Sequence, residues 1–372
     1  GIDISVLGNK FYGGIENYTF RIVENLLQID TENEYFFFSS RALKDKARKL
    51  IEGHSFSQAT SENRIKWSFW RLPSMIESNN LDVFVSPTHM GPQRIPGKTK
   101  YVVVIHDLIY KTHKQRYPLK ERALCNFGLW RSLSQADQVI AVSEATKRDL
   151  LELTSFPDKR IAVVHHGYDN NLFRVNENGL GRKIKERFSI RDKYLLSVGS
   201  IYQRKNLETL IKAYSELPAA LQSVYQLVLV GRVGEEEYFA SLKELVSKKK
   251  LKKRVVFTGL VSNQELASFY QGASIFVLPS VAEGFGLPLL EAMACGVLVL
   301  TTDFPAAKEV LGDYGIKIKN PLDVREMSGK LERLLEDQEL TQTLRQGGLE
   351  HVKMFDWQKA AEKTLKIISE NS

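Results

Sequence analysis

The sequence predicts an α/β protein made of two doubly wound, Rossmann-like domains of parallel sheet. Three observations carry that expectation. Short apolar runs of strand length alternate with helical patterns along the whole chain, the signature of strands crossed over by helices. The alternation restarts near the middle, as if a second domain repeated the plan of the first. The length of 372 residues exceeds what one hydrophobic core ordinarily serves.

In order, the first half offers strands at 4–7, 35–38, 82–85, 101–105, 138–142 and 161–165, with helical stretches such as 15–28 and 119–134 between them. The second half offers strands at 194–198, 226–230, 255–258, 275–278, 297–300 and 315–318, and helices at 207–216, 235–248, 263–271 and 322–336. The polar stretch 168–193, which contains Asn176-Glu177-Asn178-Gly179, has no apolar periodicity and reads as the boundary. This divides the chain into 1–170 and 190–352. The amphipathic tail 356–372 is left over.

Composition excludes several classes. No window of 18 apolar residues exists, so no membrane-spanning helix is expected. The opening residues read as a strand rather than a signal peptide. Only Cys125 and Cys295 occur, which argues for a reducing, cytoplasmic setting and against a disulfide framework or cysteine metal site. The net charge of +8 divides evenly: residues 1–170 carry 23 Lys and Arg against 19 Asp and Glu, the remainder 29 against 25. With no basic tail, a nucleic-acid-binding protein is the weaker alternative, and no nucleic acid partner is expected. The run Lys248-Lys249-Lys250-Leu251-Lys252-Lys253-Arg254 follows a helix, where the dipole favours cations.

The densest chemistry lies after the apolar run 275–278. Pro279-Ser280-Val281-Ala282-Glu283-Gly284-Phe285-Gly286-Leu287-Pro288 reads as strand, glycine loop and helix start, with Pro288 expected at the first helical position. A helix N-terminus reached through a glycine loop favours anions. Glu283 sits in that loop and Glu291 follows in the first helical turns. Ligands of doubly wound sheets bind beyond the carboxyl ends of the strands. Other candidates fall at such ends: Gly13 and Gly14, His106 beside Asp107, and Arg204-Lys205 in the stretch 199–206. Two cations there can offset a diphosphate. Ser143 opens Ser-Glu-Ala-Thr and reads as a helix cap. There is no Gly-x-Ser-x-Gly elbow, no Gly-x-x-x-x-Gly-Lys loop, no His-Glu-x-x-His and no Asp-x-Asp pair.

The Glu283-x7-Glu291 spacing, set in Glu-Gly-Phe-Gly-Leu-Pro-Leu-Leu-Glu-Ala-Met-Ala, resembles the signature of family 4 retaining glycosyltransferases. The resemblance extends over nearly the whole chain, through Gly13-Gly14, the segment ending Ile105-His106-Asp107, and the loop 199–206. It implies a GT-B fold, in which two Rossmann-like domains face each other across a cleft and the tail 356–372 crosses back to the first domain. It implies transfer of a hexose from a nucleotide diphosphate sugar, of the GDP-mannose or UDP-glucose type, to a hydroxyl acceptor in cell-surface polysaccharide or glycolipid assembly. It implies that Arg204 and Lys205 hold the donor diphosphate and that Glu283 contacts the donor sugar. Glu291 binds the ribose, Leu260 and Val261 pack the base, and the backbone around Gly284, Phe285, Gly286 and Leu287 faces the phosphates. His106 approaches the donor sugar. Gly13 and Gly14 let backbone approach donor and acceptor. Ser200 stands where many members carry Arg, a variation similar to the O-antigen mannosyltransferase-like branch. The nucleotide sugar is a substrate, and no cofactor or metal is expected. The alternatives are a GT-B sugar-nucleotide epimerase or a phosphorylase.

The acceptor side has its own signal. Between residues 83 and 120 the only acid is Asp107, against seven Lys and Arg that include Lys111, Lys114 and Arg116. Interleaved with Ile109, Tyr110 and Tyr117, they suit a lipid-linked saccharide acceptor and a peripheral contact at the inner, anionic face of a membrane.

Overall fold

The computed structural model describes residues 1–10, 13–59, 66–176 and 181–370. They form two compact units, residues 1–167 with 355–372 and residues 168–354. Within the expected boundary 168–193, residues 177–180 lie outside the described residues.

The first unit holds a seven-stranded parallel sheet. Its strands are β1 (Ile2–Asp3), β2 (Phe36–Ser39), β3 (Ser55–Gln58), β4 (Val83–Ser86), β5 (Lys100–Ile105), β6 (Gln138–Ala141) and β7 (Ile161–Val163). They lie in the order β3-β2-β1-β4-β5-β6-β7. Continuous apolar runs such as Val102–Val104 fit strands buried on both faces. Two expectations are corrected here. The run 4–7 is not a strand. Asp3 Oδ1 accepts the Ser5 N–H at 2.9 Å, and the chain leaves the sheet as a 3₁₀ turn, Ser5–Gly8, that still buries Ile4 and Leu7. β3 was not anticipated because Ser55-Phe56-Ser57-Gln58 is a polar edge strand with no apolar run.

The second unit holds β8 (Lys193–Val198), β9 (Tyr225–Val230), β10 (Val255–Gly259), β11 (Ile275–Leu278), β12 (Leu298–Thr302) and β13 (Ile316–Ile318). All are parallel, in the order β10-β9-β8-β11-β12-β13. Leu195, Leu227, Ile275 and Leu300 of the sheet pack with Leu210, Ile211, Met327 and Leu331 of covering helices. Both sheets therefore reverse strand order beside their first strand, between β1 and β4 and between β8 and β11. Such a switch point leaves a crevice at the carboxyl ends, because the two flanking connections run to opposite faces.

The C-terminal helix Trp357–Ser369 packs on Gly14–Ile29 in the first unit. Its cap is Asp356, which accepts the N–H groups of Gln358 and Lys359. Gly167 permits that return: a Cβ there would come within 2.2 Å of the Trp357 nitrogen. No described helix is long and apolar enough to cross a membrane. Ile109 and Tyr110, expected at an anionic membrane surface, are core residues, 5% and 3% exposed, and cannot touch a bilayer.

Candidate functional site

The switch point of the second sheet brings together the two loops that the sequence singled out. The loop after β8 carries Arg204 and Lys205 in the 3₁₀ turn Gln203–Lys205, and the loop after β11 carries Glu283. The Lys205 ammonium donates to Glu283 Oε1, and Arg204 Nη1 lies 3.4 Å from Glu283 Oε2. One carboxylate thus sits between two cations, and the trio keeps one net positive charge. Burial opposes ionisation of Glu283. Lys205 first and Arg204 second outweigh it, and its carboxyl is held down at about 2. Burial also lowers Lys205, while the Glu283 charge raises it.

Backbone and side-chain ties fix the two loops to each other. Val281 N–H donates to the Arg204 carbonyl at 3.0 Å. Asn206 adopts the left-handed conformation that Asn tolerates, with φ of 54°. Its amide donates to the Pro279 carbonyl at 3.1 Å and to that of Pro321 at 2.6 Å, while its oxygen accepts from Thr209 at 2.7 Å. Asn206 was not anticipated, although Asn directly before an apolar-periodic helix is a cap signal that could have found it.

Glycines clear the floor of the crevice. Gly199 and Gly231, at the ends of β8 and β9, have φ of +147° and +151°. A Cβ on Gly231 would meet the Gly199 carbonyl oxygen at 2.0 Å. Gly231 was also not anticipated. The repeated Val-Gly at the ends of β8 and β9 is the pattern that signals it. Gly286 caps the helix Leu287–Ala294 with φ of 97°, and Pro288 is its second residue rather than its first. Phe285 is buried beneath the loop.

Glu291 lies farther along that helix, in different company. Its Oε2 accepts the Tyr270 hydroxyl at 2.8 Å. Burial raises its carboxyl to about 7; the Tyr270 bond opposes this and the Asp169 charge adds to it. At the end of β10, Leu260 is exposed and Val261 half-buried. An exposed leucine at a strand end offers an apolar platform. Ser200 is half-buried beside Gly199.

In the first unit, His106 follows β5. Its Nε2 lies 2.9 Å from the Pro87 carbonyl, an acceptor only, so Nε2 carries the proton. Burial pushes the imidazole down to about 4, against the Pro87 bond and the Glu16 charge, so it is neutral near pH 7. Its ring meets Tyr18 edge-on at 4.9 Å. Gly13 caps the helix Gly14–Ile29, and its N–H donates to Glu16 Oε2 at 2.8 Å. Neither Gly13 nor Gly14 has a positive φ, and a Cβ on Gly14 would meet nothing within 4 Å. Both glycines are exposed. Ser143 is the cap expected, accepting the Thr146 N–H at 3.0 Å. Among the described residues no three His, Cys, Asp or Glu side chains cluster as a metal site.

Two family profiles match this chain: Glycosyltransferase Family 4 over residues 12–172 and Glycosyl transferases group 1 over residues 182–351. The chain belongs to the family 4 glycosyltransferases. Within the family it is 31% identical to the serotype-specific mannosyltransferase WbdA of Escherichia coli over 367 residues, covering 96% of this chain but 44% of that protein. The chain thus spans less than half the length of these first relatives. It is 26% identical to the O-antigen chain mannosyltransferase B of Escherichia coli, covering 95% of this chain and 94% of that one. In fold, this glycosyltransferase chain is similar to HepE of Anabaena in complex with UDP and glucose. The TM-score is 0.80 at 17% identity, covering 99% of this chain and 98% of that one. WaaG, a glycosyltransferase involved in lipopolysaccharide biosynthesis, aligns with a TM-score of 0.77 at 17% identity, covering 99% of each chain. The two Rossmann-like sheets are those of the GT-B fold.

Proposed function

We propose that this chain is a retaining, metal-independent hexosyltransferase that takes its sugar from a nucleotide diphosphate donor. The observation that carries the reading is the Arg204–Lys205–Glu283 constellation at the switch point of the second sheet. Two cations and a glycine-loop helix start suit a diphosphate. A carboxylate held ionised between them suits the hydroxyls of the adjoining sugar. Glu291 and the exposed Leu260 suit ribose and base. His106 and the Gly13-Gly14 backbone are assigned to the donor sugar and acceptor by the family resemblance. The names of the mannosyltransferase relatives favour GDP-mannose, with UDP-glucose next. A lipid-linked saccharide acceptor in polysaccharide assembly fits the same relatives and would bring the protein to an anionic membrane face.

In the proposed reaction the bond from the anomeric carbon to the diphosphate oxygen breaks, and its electron pair leaves on the nucleoside diphosphate. Arg204 and Lys205 stabilise that charge as it develops, the electrostatic work of preorganised donors. The acceptor hydroxyl bonds to the same face of the anomeric carbon, and its proton passes to the departing phosphate oxygen. No side chain need act as a covalent nucleophile.

The test is a thermal-shift panel of nucleoside diphosphates with and without EDTA. One of them should stabilise the protein, by about 2.7 kcal/mol at a hundredfold excess over Kd, and EDTA should leave the shift intact. A flat panel would overturn the donor reading. A shift that vanishes in EDTA and returns with Mg²⁺ would overturn metal independence alone.

A further inference from the structure

Charge leaves the candidate site short of a cation. Arg204, Lys205 and Glu283 together net one positive charge, and the helix start at Leu287 adds about half of one. A diphosphate joined at both ends carries one negative charge on each phosphate, as a nucleic-acid backbone does. The second unit holds a further guanidinium beside the trio. Past the ends of β8 and β9 the two segments stay in register: Val198 lies opposite Val230 and Ile201 opposite Val233, at the same offset. Arg232 therefore stands opposite Ser200, about 4.8 Å across from the loop that carries Arg204 and Lys205. The Ile201 N–H fixes it there, donating to the Arg232 carbonyl at 2.8 Å. Its side chain is held from the same loop. Arg232 Nη2 donates to the Tyr202 hydroxyl oxygen at 3.1 Å, and the guanidinium carbon lies 5.9 Å from the centre of the Tyr202 ring. Gly234 makes room for that ring, since a Cβ there would come within 2.4 Å of it. The acids that follow, Glu235, Glu236 and Glu237, are exposed, and Glu235 accepts the Gln203 N–H at 3.1 Å.

We propose that Arg232 binds the nucleoside-side phosphate of the donor. The strand order decides which phosphate it takes. Across the carboxyl edge β10-β9-β8-β11 the successive loops present Leu260, then Arg232, then Arg204 with Lys205, then Glu283. With the base on Leu260 and the sugar on Glu283, the two phosphates fall between them in the same order. Arg204 and Lys205, next to Glu283, take the phosphate joined to the sugar. Arg232, next to Leu260, takes the one joined to the nucleoside. A guanidinium presents a planar fork of donors that matches phosphate oxygens, so it orients this phosphate as well as neutralising it. With Arg232 included, the side chains set two net positive charges against the two phosphates. The inference deepens the donor reading of the proposed function and rests on it.

The test is calorimetric titration of GDP, GMP, UDP and UMP into the parent, Arg232→Gln and Lys205→Ala. For the pair with the preferred base, Arg232→Gln should weaken monophosphate and diphosphate alike, by about tenfold to a hundredfold, the scale of a lost hydrogen bond to a charged group. Lys205→Ala should weaken the diphosphate more than the monophosphate, which lacks the outer phosphate. Arg232→Lys, which returns the charge without the fork, should fall between Arg232→Gln and the parent. Should Arg232→Gln melt far below the parent without ligand, Arg232→Lys takes its place, with losses of the same pattern expected. Parental affinity for both nucleotides would overturn the proposal, and so would a loss confined to the diphosphate, which would put Arg232 on the outer phosphate. Failure of the donor reading shows separately, as a parent that binds none of the four nucleotides.

Discussion

Glu283 and Glu291 stand eight residues apart on one loop–helix segment, yet their surroundings hold them on opposite sides of the ordinary carboxylate range. Both are drawn from water, which alone would raise each. Glu283 faces an ammonium and a guanidinium, and they outweigh burial. Glu291 faces a neutral phenol, with Asp169 adding to burial rather than opposing it. One residue type in one short segment thus becomes a fixed charge at one end and a group that titrates near neutrality at the other. The partners decide this, and they come from other elements: Lys205 from the turn after β8, and Tyr270 from the helix Asn263–Gln271.

The comparison breaks most visibly if Lys205 is removed. Lys205→Ala should reduce kcat/KM about 10²–10³-fold, the scale of losing one electrostatic contact to the transition state. It should also destabilise the fold by about 1–3 kcal/mol, because Glu283 loses its nearest cation and keeps only Arg204. The double variant Lys205→Ala with Glu283→Ala should recover much of that stability in thermal melts and none of the activity. Recovery of both would reduce the pair to a structural contact.

Asn206→Ala should come next. It removes two donated bonds and one accepted bond in a buried position, at about 1–3 kcal/mol for the groups left unpaired. If Asn206 positions Lys205 against Glu283, kcat should fall more than KM rises, and Asn206→Gly, which keeps the backbone conformation, should behave alike. Parental kcat in both variants would leave Asn206 a purely structural tie.

A smaller effect sharpens the comparison through pH. Glu283 lies below its ordinary value of 4.5, so its stabilisation is present above that pH and lost as pH falls toward about 2. Glu291 lies above it, so the folded state keeps a proton the unfolded chain releases, and stability is lost as pH rises from 4.5 through about 7. If ionised Glu291 accepts the ribose hydroxyls, nucleotide affinity should rise with pH up to about 7, by at most about tenfold per unit. Glu291→Gln should flatten that dependence and flatten the loss of stability over the same window. An unchanged pH profile in Glu291→Gln would assign the titration to the ligand's own phosphate.

Much of this was legible in the chain. The alternation of strand and helix gave both sheets, and the glycine loop with its two glutamates marked the switch point because chemistry and turn residues coincide there. What was not legible depended on partners distant in sequence. The run 4–7 looks like a strand until Asp3 turns the chain out of the sheet. Residues 55–58 have no apolar run because an edge strand needs none. Tyr110 looks like surface beside its lysines, yet the core takes it. The opposite ionisation of the two glutamates could not be read from their identical side chains, since Lys205 and Tyr270 reach them only through the fold.

The most direct test of the division between the two carboxylates is calorimetric titration of the best nucleoside diphosphate from the thermal-shift panel into Glu283→Ala and Glu291→Ala. Glu291→Ala should bind it at least about tenfold more weakly than the parent, the scale of one good hydrogen-bonded contact to a charged group. Glu283→Ala should bind it with near-parental affinity while losing turnover of the sugar donor. Equal affinities for the two variants, or the opposite order, would contradict the account.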